Sequence, residues 1–464
     1  MRQPTSPAQT PHRSHIGHVP LIPILIGIET PLLTLADPAW GAAASVLFPL
    51  SLFIAVARRY RDLLDYRVIY LFALSVWAAN HCSGIFFLLQ GDSTQIQPFG
   101  GAMSLYSYGV TASTFLVLLF WKDRVHVAEL RIDTPEVHGE RLRFFAFLVV
   151  SVGYAIVVQW DSSLPIASML SSFMLVAFAT NQLSYARRGR WIALLLSGAY
   201  ASAIFSLGAA NRTSMLVPMV VTGLAALATR PRMDGRIFSL RTAFLIAALL
   251  AVALIADWQK QMHMSLFEAV TGDMRALPTL MSTAENSNYL THADATLEYL
   301  GYIQYIIDHH IYHNGYYLMQ VVSSFTPRAL FPGKPNFDVS ALLYDAHIVK
   351  MPMYFDFLFD RIIDSGFFGI VLYNLGYLWL TRTAYRMYDR VRAIRPLGVE
   401  CGLYLAALIT LYLVMRGPII LITWFYLFPM VLLALRNVAV RMLQPRRARR
   451  VIVPDTRRLS EERS

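Results

Sequence analysis

The sequence is poor in charge and in cysteine, and each shortage excludes a class of protein. Only 15% of the residues are charged and 56% are hydrophobic, with a mean hydropathy of +0.47, whereas about a quarter of a soluble globular protein is charged. The two cysteines, Cys82 and Cys401, lie within or at the edge of apolar runs. They make neither a disulfide framework nor a cysteine metal site. These features indicate a membrane protein.

Motifs of soluble enzymes are also missing. The sequence contains no phosphate-binding glycine loop, no HExxH, no paired CxxC and no GxSxG. No internal repeat stands out, which argues against a transporter built from related halves. The basic cluster at 446–450 suits a tail that is solvated or faces lipid head groups, so no nucleic-acid partner is predicted. We predict no cofactor and no metal ion.

Apolar runs of membrane-crossing length fill most of the chain. About 20 residues cross a bilayer core about 30 Å thick as a helix, which satisfies the backbone internally. We therefore predict an all-α fold, a polytopic membrane helix bundle of about twelve transmembrane helices with one large external loop containing amphipathic helices. The runs lie at 20–36, 39–57, 67–89, 101–121, 143–160, 163–182, 191–210, 213–229, 240–258, 364–382, 398–416 and 417–436.

One long polar interruption divides this pattern. Residues 1–258 are predicted to form an N-terminal bundle of about nine spans, and 259–363 a large loop rich in aromatic residues. Residues 364–436 follow as a C-terminal bundle of about three spans, and 437–464 as a basic tail. Soluble chemistry is expected in the large loop.

The basic residues predict the orientation. Of 40 lysines and arginines, 32 fall on one side of the predicted bundle, with both termini. Cytoplasmic loops carry the excess of basic residues, so both termini are predicted to be cytoplasmic and the large loop external. The eight basic residues on the external side are Arg212, Lys260, Arg275, Arg328, Lys334, Lys350, Arg361 and Arg416.

Few polar residues lie inside the predicted spans. We interpret them as interhelical hydrogen-bond partners rather than transport sites. They are Glu29, Asn80, His81 and Asn374.

Asn211 and Arg212 lie in a short external loop directly before the eighth span. A guanidinium can bind two phosphate oxygens, and a helix N-terminus adds free N–H groups and partial positive charge. The pair outlines an anion site. The alternative is an interface arginine whose head group extends to water.

The apolar residues from Glu298 to Asn314 follow helical spacing and predict an amphipathic helix that lies on the membrane or on the bundle and stops at Asn314-Gly315. Asp308, His309 and His313 lie toward another face. Interface histidines, a proton-transfer role and a phosphate-neutralising role are all open, and a metal site lacks a third ligand at fixed spacing. The apolar stripe and its neighbours are Leu300, Ile303, Ile307 and Ile311 with Tyr299, Tyr302 and Ile306.

The segment Thr326–Pro335 holds three prolines and a glycine, which exclude a regular helix. It displays Arg328 and Lys334 on a stiff turn. These cations are either solvated loop charges or binding residues.

This segment resembles the external-loop motif of oligosaccharide repeat-unit polymerases, the Wzy-type O-antigen and exopolysaccharide polymerases. The ten residues between Arg212 and Gly223 match a spacing of the same family, and 357–369 resembles its re-entry into the membrane after the large loop. The run His313–Leu318 resembles the related O-antigen ligases. The chain departs from the family pattern because no second such spacing begins at Arg328 or Arg361.

The resemblance implies an integral-membrane, metal-independent and inverting glycosyltransferase. It would move a growing glycan from undecaprenyl pyrophosphate to a sugar hydroxyl of a lipid-linked repeat unit. Cations would stabilise the departing pyrophosphate, and a base would take the hydroxyl proton. The implied pyrophosphate-binding residues are Arg212, Arg328, Arg361 and Lys334. The catalytic candidates are His313, Asp338 and Asp360. The substrate-binding candidates are Asn211, His309, Asn314, Tyr317 and Tyr344, the tyrosines stacking on sugar rings.

The expected location is a bacterial inner membrane, with the large loop in the periplasm. The expected partners are the undecaprenyl-pyrophosphate-linked oligosaccharide and the lipid bilayer, with a chain-length regulator and a flippase as further candidates. Three alternatives remain open. They are an O-antigen-ligase-like transferase, a polysaccharide or lipid transporter, and a structural subunit of an envelope-assembly complex.

Overall fold

The computed structural model describes residues 20–60, 62–90, 94, 96–123, 131–132, 296–310, 312, 315, 319, 357–392 and 394–395, with scattered positions between 401 and 438. Within these ranges the regular elements are helices, apart from a pair of two-residue strands. The helices are α1 (Leu21–Ala36), α2 (Pro38–Ala44), α3 (Leu47–Tyr60), α4 (Tyr66–Gln90), α5 (Gly100–Leu119), α6 (296–309) and α7 (Phe357–Arg392). The strands β1 (Arg131–Ile132) and β2 (Ile394–Arg395) pair in parallel.

In the described part of the chain, three stretches are long and apolar enough to cross a membrane. They are Pro38–Tyr60, Tyr66–Gln90 and Gln97–Leu119. They confirm the spans predicted at 39–57, 67–89 and 101–121 as long apolar helices. The run predicted at 20–36 forms α1, which has 16 residues and contains Pro31. Most of the other predicted spans, and most of the large loop, lie outside the described residues.

The first two helices form a tight hairpin around a single residue. Asp37 ends α1 and caps α2, its carboxylate accepting from the backbone N–H groups of Ala39 and Trp40 at 3.0 and 3.2 Å. Gly41 lies so close to Thr34 that a Cβ on the glycine would be 2.3 Å from the threonine Oγ1. Small residues allow such close helix packing inside a membrane.

Buried hydrogen bonds join α4, α5 and α7. The Tyr70 hydroxyl donates to the Ser113 carbonyl at 3.1 Å, and the Asn374 side-chain amide donates to the Ser113 hydroxyl at 2.5 Å. Asn374 is therefore the interhelical partner that the sequence predicted. Glu29, for which the same role was predicted, is exposed in the part of the chain that the structure describes.

A network of charges and tyrosines closes one end of the bundle, which we call the basic end and define by Asp65, Arg67, Asp123 and Arg382. Two bonds of 2.7 and 2.8 Å join the guanidinium of Arg67 to Asp65, and both side chains are fully buried. The same guanidinium lies 3.6 Å from the ring centroid of Tyr60. Burial raises the pKa of Asp65, and the hydrogen bonds from Arg67 oppose that rise.

Asp123 connects α7 to this network. Its carboxylate accepts from Arg382 at 2.5 and 2.9 Å and from the Tyr66 hydroxyl at 3.0 Å, and Arg386 lies 3.6 Å away. Burial alone would raise the pKa of Asp123, but the bonds from Arg382 and Tyr66 and the two arginine charges outweigh it and lower that pKa.

The lowered pKa makes the stability of the basic end depend on pH. A carboxyl whose pKa is lower when folded stabilises the protein fully above its unfolded value of about 3.9 and loses that contribution as the pH falls through its folded value. We expect the unfolding temperature of the purified protein to fall as the pH drops below about 4. Asp123→Asn should have a lower unfolding temperature than wild type at pH 7, and its unfolding temperature should fall less as the pH drops below about 4. An equally large fall in the variant would contradict the assignment to Asp123.

Helix α6 packs on the other end of α4 and α5, which we call the loop end. Leu300 and Ile303 are fully buried, and the His309 side chain is exposed. Gln304 accepts a hydrogen bond from the backbone N–H of Ala102 at 2.9 Å, in the first turn of α5, whose N-cap residue supplies no side-chain cap. The predicted amphipathic helix is confirmed, and it lies against the bundle.

Candidate functional site

Three of the predicted site residues lie in the described part of the chain. Arg361 is described in full, His309 is described on α6, and Asp360 is described only as part of the α7 backbone. The remaining site residues lie outside the described residues. They are Asn211, Arg212, His313, Asn314, Tyr317, Arg328, Lys334, Asp338 and Tyr344.

A break in α7 positions Arg361. The backbone leaves the helical region at Ser365 (φ −154°, ψ 28°) and Gly366 (φ 59°, ψ −146°). The Gly366 conformation is one that glycine adopts and L side chains rarely do. Beyond the break, a Cβ added at Gly369 would lie 2.4 Å from the carbonyl oxygen of Arg361. The first part of α7 therefore folds back against the second part, although the two residues are eight positions apart.

This fold-back carries the Arg361 side chain into the bundle. The residue is 1% exposed, and its guanidinium is within electrostatic range of the hydroxyls of Tyr70 on α4 and Tyr377 on α7. The sequence assigned Arg361 to the external side without predicting its depth, and the structure shows that the residue is buried. The cause is the break at Gly366, which turns the preceding helical segment inward. A guanidinium buried among helices is costly and marks a candidate functional site.

Asp364, one helical turn after Arg361, is fully buried and accepts hydrogen bonds from two distant parts of the chain. Its Oδ1 accepts from the backbone N–H of Gly315 at 2.9 Å, and its Oδ2 accepts from the Tyr373 hydroxyl. Gly315 adopts a φ of 91°, in the region that favours glycine. Asp364 thus connects the segment after α6 to the break in α7.

The same segment contacts the break at a second point. The Tyr312 ring lies 3.4 Å from the position that a Cβ on Gly366 would occupy. Tyr312 and Gly315 are therefore both held at the break, and in sequence they flank the candidate residues His313 and Asn314. We call this arrangement of Tyr312, Gly315, Asp364, Gly366 and Tyr373 the kink clasp.

His309 lies apart from the buried side of α6. Its Nδ1 lies 2.9 Å from the Tyr305 carbonyl oxygen, and its ring centroid lies 4.0 Å from that of Tyr305. Its exposure at the end of α6 leaves it accessible to a ligand at the loop end. Within the described residues, no three histidine, cysteine, aspartate or glutamate side chains gather as a metal site would require.

Sequence reasoning missed several buried polar residues of this region. Asp364 lies in the run 357–369 that resembles the re-entry segment but was given no role, and Tyr70, Tyr373 and Tyr377 lie in predicted apolar spans and carried no motif. One signal could have found Asp364. A carboxylate at the start of a predicted span is costly to bury and needs donors, which makes it a functional candidate.

No protein-family model, no curated protein and no solved structure matches the chain.

Proposed function

We propose that this chain is a membrane glycosyltransferase that polymerises lipid-linked sugar repeat units. It would transfer a growing glycan from undecaprenyl pyrophosphate to a hydroxyl of a fresh lipid-linked repeat unit, in O-antigen or exopolysaccharide biosynthesis. We propose a bacterial inner membrane as its location and the periplasm as the side of the loop end. The apolar helices support a membrane protein, and the resemblance in the loop motifs supports this chemistry.

One observation carries the proposal. The kink clasp holds both flanks of His313 and Asn314 against the helix break that buries Arg361, although 48 positions separate His313 from Arg361. Transfer from a pyrophosphate needs a base for the acceptor proton and positive charge for the leaving group. The residues that flank the proposed base in sequence, Tyr312 and Gly315, therefore lie at the same helix break as the proposed cation.

The proposed chemistry is a single displacement. The acceptor hydroxyl oxygen forms a bond to the anomeric carbon of the growing glycan while the bond from that carbon to the pyrophosphate oxygen breaks. The hydroxyl proton passes to the base, for which we propose His313, with Asp338 and Asp360 as alternatives. The electron pair leaves with the pyrophosphate, and attack opposite the leaving group inverts the anomeric centre.

Burial gives Arg361 a defined role in this scheme. A charge in a region of low dielectric acts over a longer distance than one in water. We propose that Arg361 stabilises the pyrophosphate charge from inside the bundle, while Arg212, Arg328 and Lys334 contact the phosphate oxygens directly. The sugar rings would contact Asn211, His309, Asn314, Tyr317 and Tyr344.

The charge of Arg361 is the quantity to test. In a strain of the source bacterium that lacks the gene and expresses the Arg361→Gln variant, single lipid-linked repeat units should accumulate. The amount of polymer should fall by about tenfold or more, because an electrostatic contribution to the transition state is removed. Arg361→Lys should restore more polymer than Arg361→Gln because it keeps the charge. Mass spectrometry of extracted lipids and gel analysis of polymer measure both pools. Arg386→Gln, a matched change of a half-exposed arginine on the same helix at the basic end, should behave like wild type.

Other outcomes would contradict the proposal in distinguishable ways. Repeat units trapped on the cytoplasmic side would indicate a transporter. Normal polymer that fails to reach a lipid A acceptor would indicate a ligase-like transferase. Normal glycans in all three variants, with the protein inserted at wild-type amounts, would indicate a structural subunit.

A further inference from the structure

We propose that Asp364 and Tyr373 are positioning residues, whose shared hydrogen bonds hold the Gly315 backbone, and with it the nearby Tyr312 ring, against the break in α7. This inference rests on the proposed function for its consequence, but its geometry stands on contacts of the described residues alone.

The carboxylate of Asp364 is suited to this role because each oxygen binds a different part of the chain. One oxygen accepts from the Gly315 backbone, 49 positions earlier, and the other accepts from Tyr373, nine positions later. A buried carboxylate is stable only when its oxygens receive donors. Loss of Tyr373 would remove one of the contacts that fix the orientation of the carboxylate, and so the alignment of the bond that holds Gly315.

The conformations of Gly315 and Gly366 show that the two segments pack closely at Asp364. Gly315 and Gly366 both have positive φ, at 91° and 59°, so the two backbone segments that meet at Asp364 are specifically shaped. The Tyr312 ring packs at 3.4 Å from the Gly366 Cβ position. A bond at Gly315 together with a ring contact at Tyr312 fixes a stretch of four residues at both ends, and a catalytic group needs its geometry fixed in this way.

The role predicted for Asp364 differs from that of a base. A base would touch the acceptor, and replacing it by asparagine or alanine would abolish transfer equally. A positioning carboxylate can be replaced in part by asparagine, because the amide oxygen can still accept from the Gly315 N–H. Alanine cannot.

Hydrogen–deuterium exchange of the purified full-length protein tests the clasp without any substrate. We expect Asp364→Ala to speed exchange in the peptide containing Gly315 by about tenfold, the size of losing one hydrogen bond to a carboxylate. Asp364→Asn and Tyr373→Phe should give smaller increases. Tyr385→Phe is the matched control, because it removes a tyrosine hydroxyl bonded to Asp62 at the other end of the same helix. It should leave this peptide unchanged.

Polymer formation by the same variants completes the test. Activity should follow the exchange data, with Asp364→Asn and Tyr373→Phe above Asp364→Ala. Unchanged exchange in Tyr373→Phe and Asp364→Asn would overturn the clasp, and so would equal inactivity of the two Asp364 variants with wild-type exchange. Altered exchange in a protein whose wild type makes no polymer would retain the clasp and remove the proposed function.

Discussion

Replacing Arg67 by alanine is expected to destabilise the folded protein by about 3–5 kcal/mol, the cost of leaving a buried partner charge uncompensated. Asp65 would remain fully buried after losing both bonds from the guanidinium. The Phe120 and Asp123 carbonyl oxygens would lose a donor as well, at 3.1 and 3.3 Å. The contact between the start of α4 and the segment after α5 would be weakened at the basic end, where the bond from the Tyr66 hydroxyl to Asp123 remains.

Thermal unfolding in detergent measures this effect. The double variant Asp65→Ala with Arg67→Ala should be more stable than Arg67→Ala alone, since it removes the stranded carboxylate. Arg386→Ala is the control, because that arginine has a side chain that is 55% exposed and lies 3.6 Å from Asp123. It should change the free energy of unfolding by about 1 kcal/mol or less. A double variant less stable than the single one would refute the stranded-charge explanation.

The helices could be predicted because their signal is local. A run such as 67–89 is long and apolar whatever packs on it, and the structure places α4 there to within a residue at each end. The stripe of α6 was equally readable, and Leu300 and Ile303 are buried as predicted. The end of α6 was predicted wrongly. It ends at 309, with His310 at a φ of 50°, instead of at Asn314-Gly315. Gly315 instead shapes the turn that reaches Asp364.

The site could be predicted only in part, because its contacts join distant segments. The sequence identified Arg361 as a candidate but gave no indication of the fold-back at Gly366 that buries it. No spacing rule connects Gly315 to Asp364, since that bond depends on how α6 and α7 sit on the same bundle end. Local patterns identified the types of residue the chemistry needs. The contacts that bring these residues together join distant segments, and such contacts leave no periodic pattern in a single sequence.

Two glycines of α7, Gly369 and Gly376, differ in how much space surrounds them, and replacing each by alanine should therefore have different effects. At Gly369, a Cβ would lie 2.4 Å from the backbone oxygen of Arg361, so the folded-back segment must move to admit even alanine. At Gly376, no atom of the described residues outside the adjoining helix backbone lies within 4 Å of the same position. Gly369→Ala should destabilise the protein by about 1–3 kcal/mol. Gly376→Ala should be neutral or stabilise it by up to about 1 kcal/mol, because alanine favours helix.

The Gly369→Ala and Gly376→Ala variants also test whether the break in α7 is needed for activity or only for stability. Gly369→Ala must push the Arg361 backbone away from the part of α7 that follows the break. This would shift the guanidinium away from Tyr70 and disturb the kink clasp through Asp364. We therefore expect Gly369→Ala to lose polymer at temperatures where it is still folded, and to speed exchange of the peptide containing Gly315. Gly376→Ala should do neither. If Gly369→Ala unfolds earlier but makes polymer normally while folded, then the depth of Arg361 matters to stability alone and its proposed electrostatic role is lost.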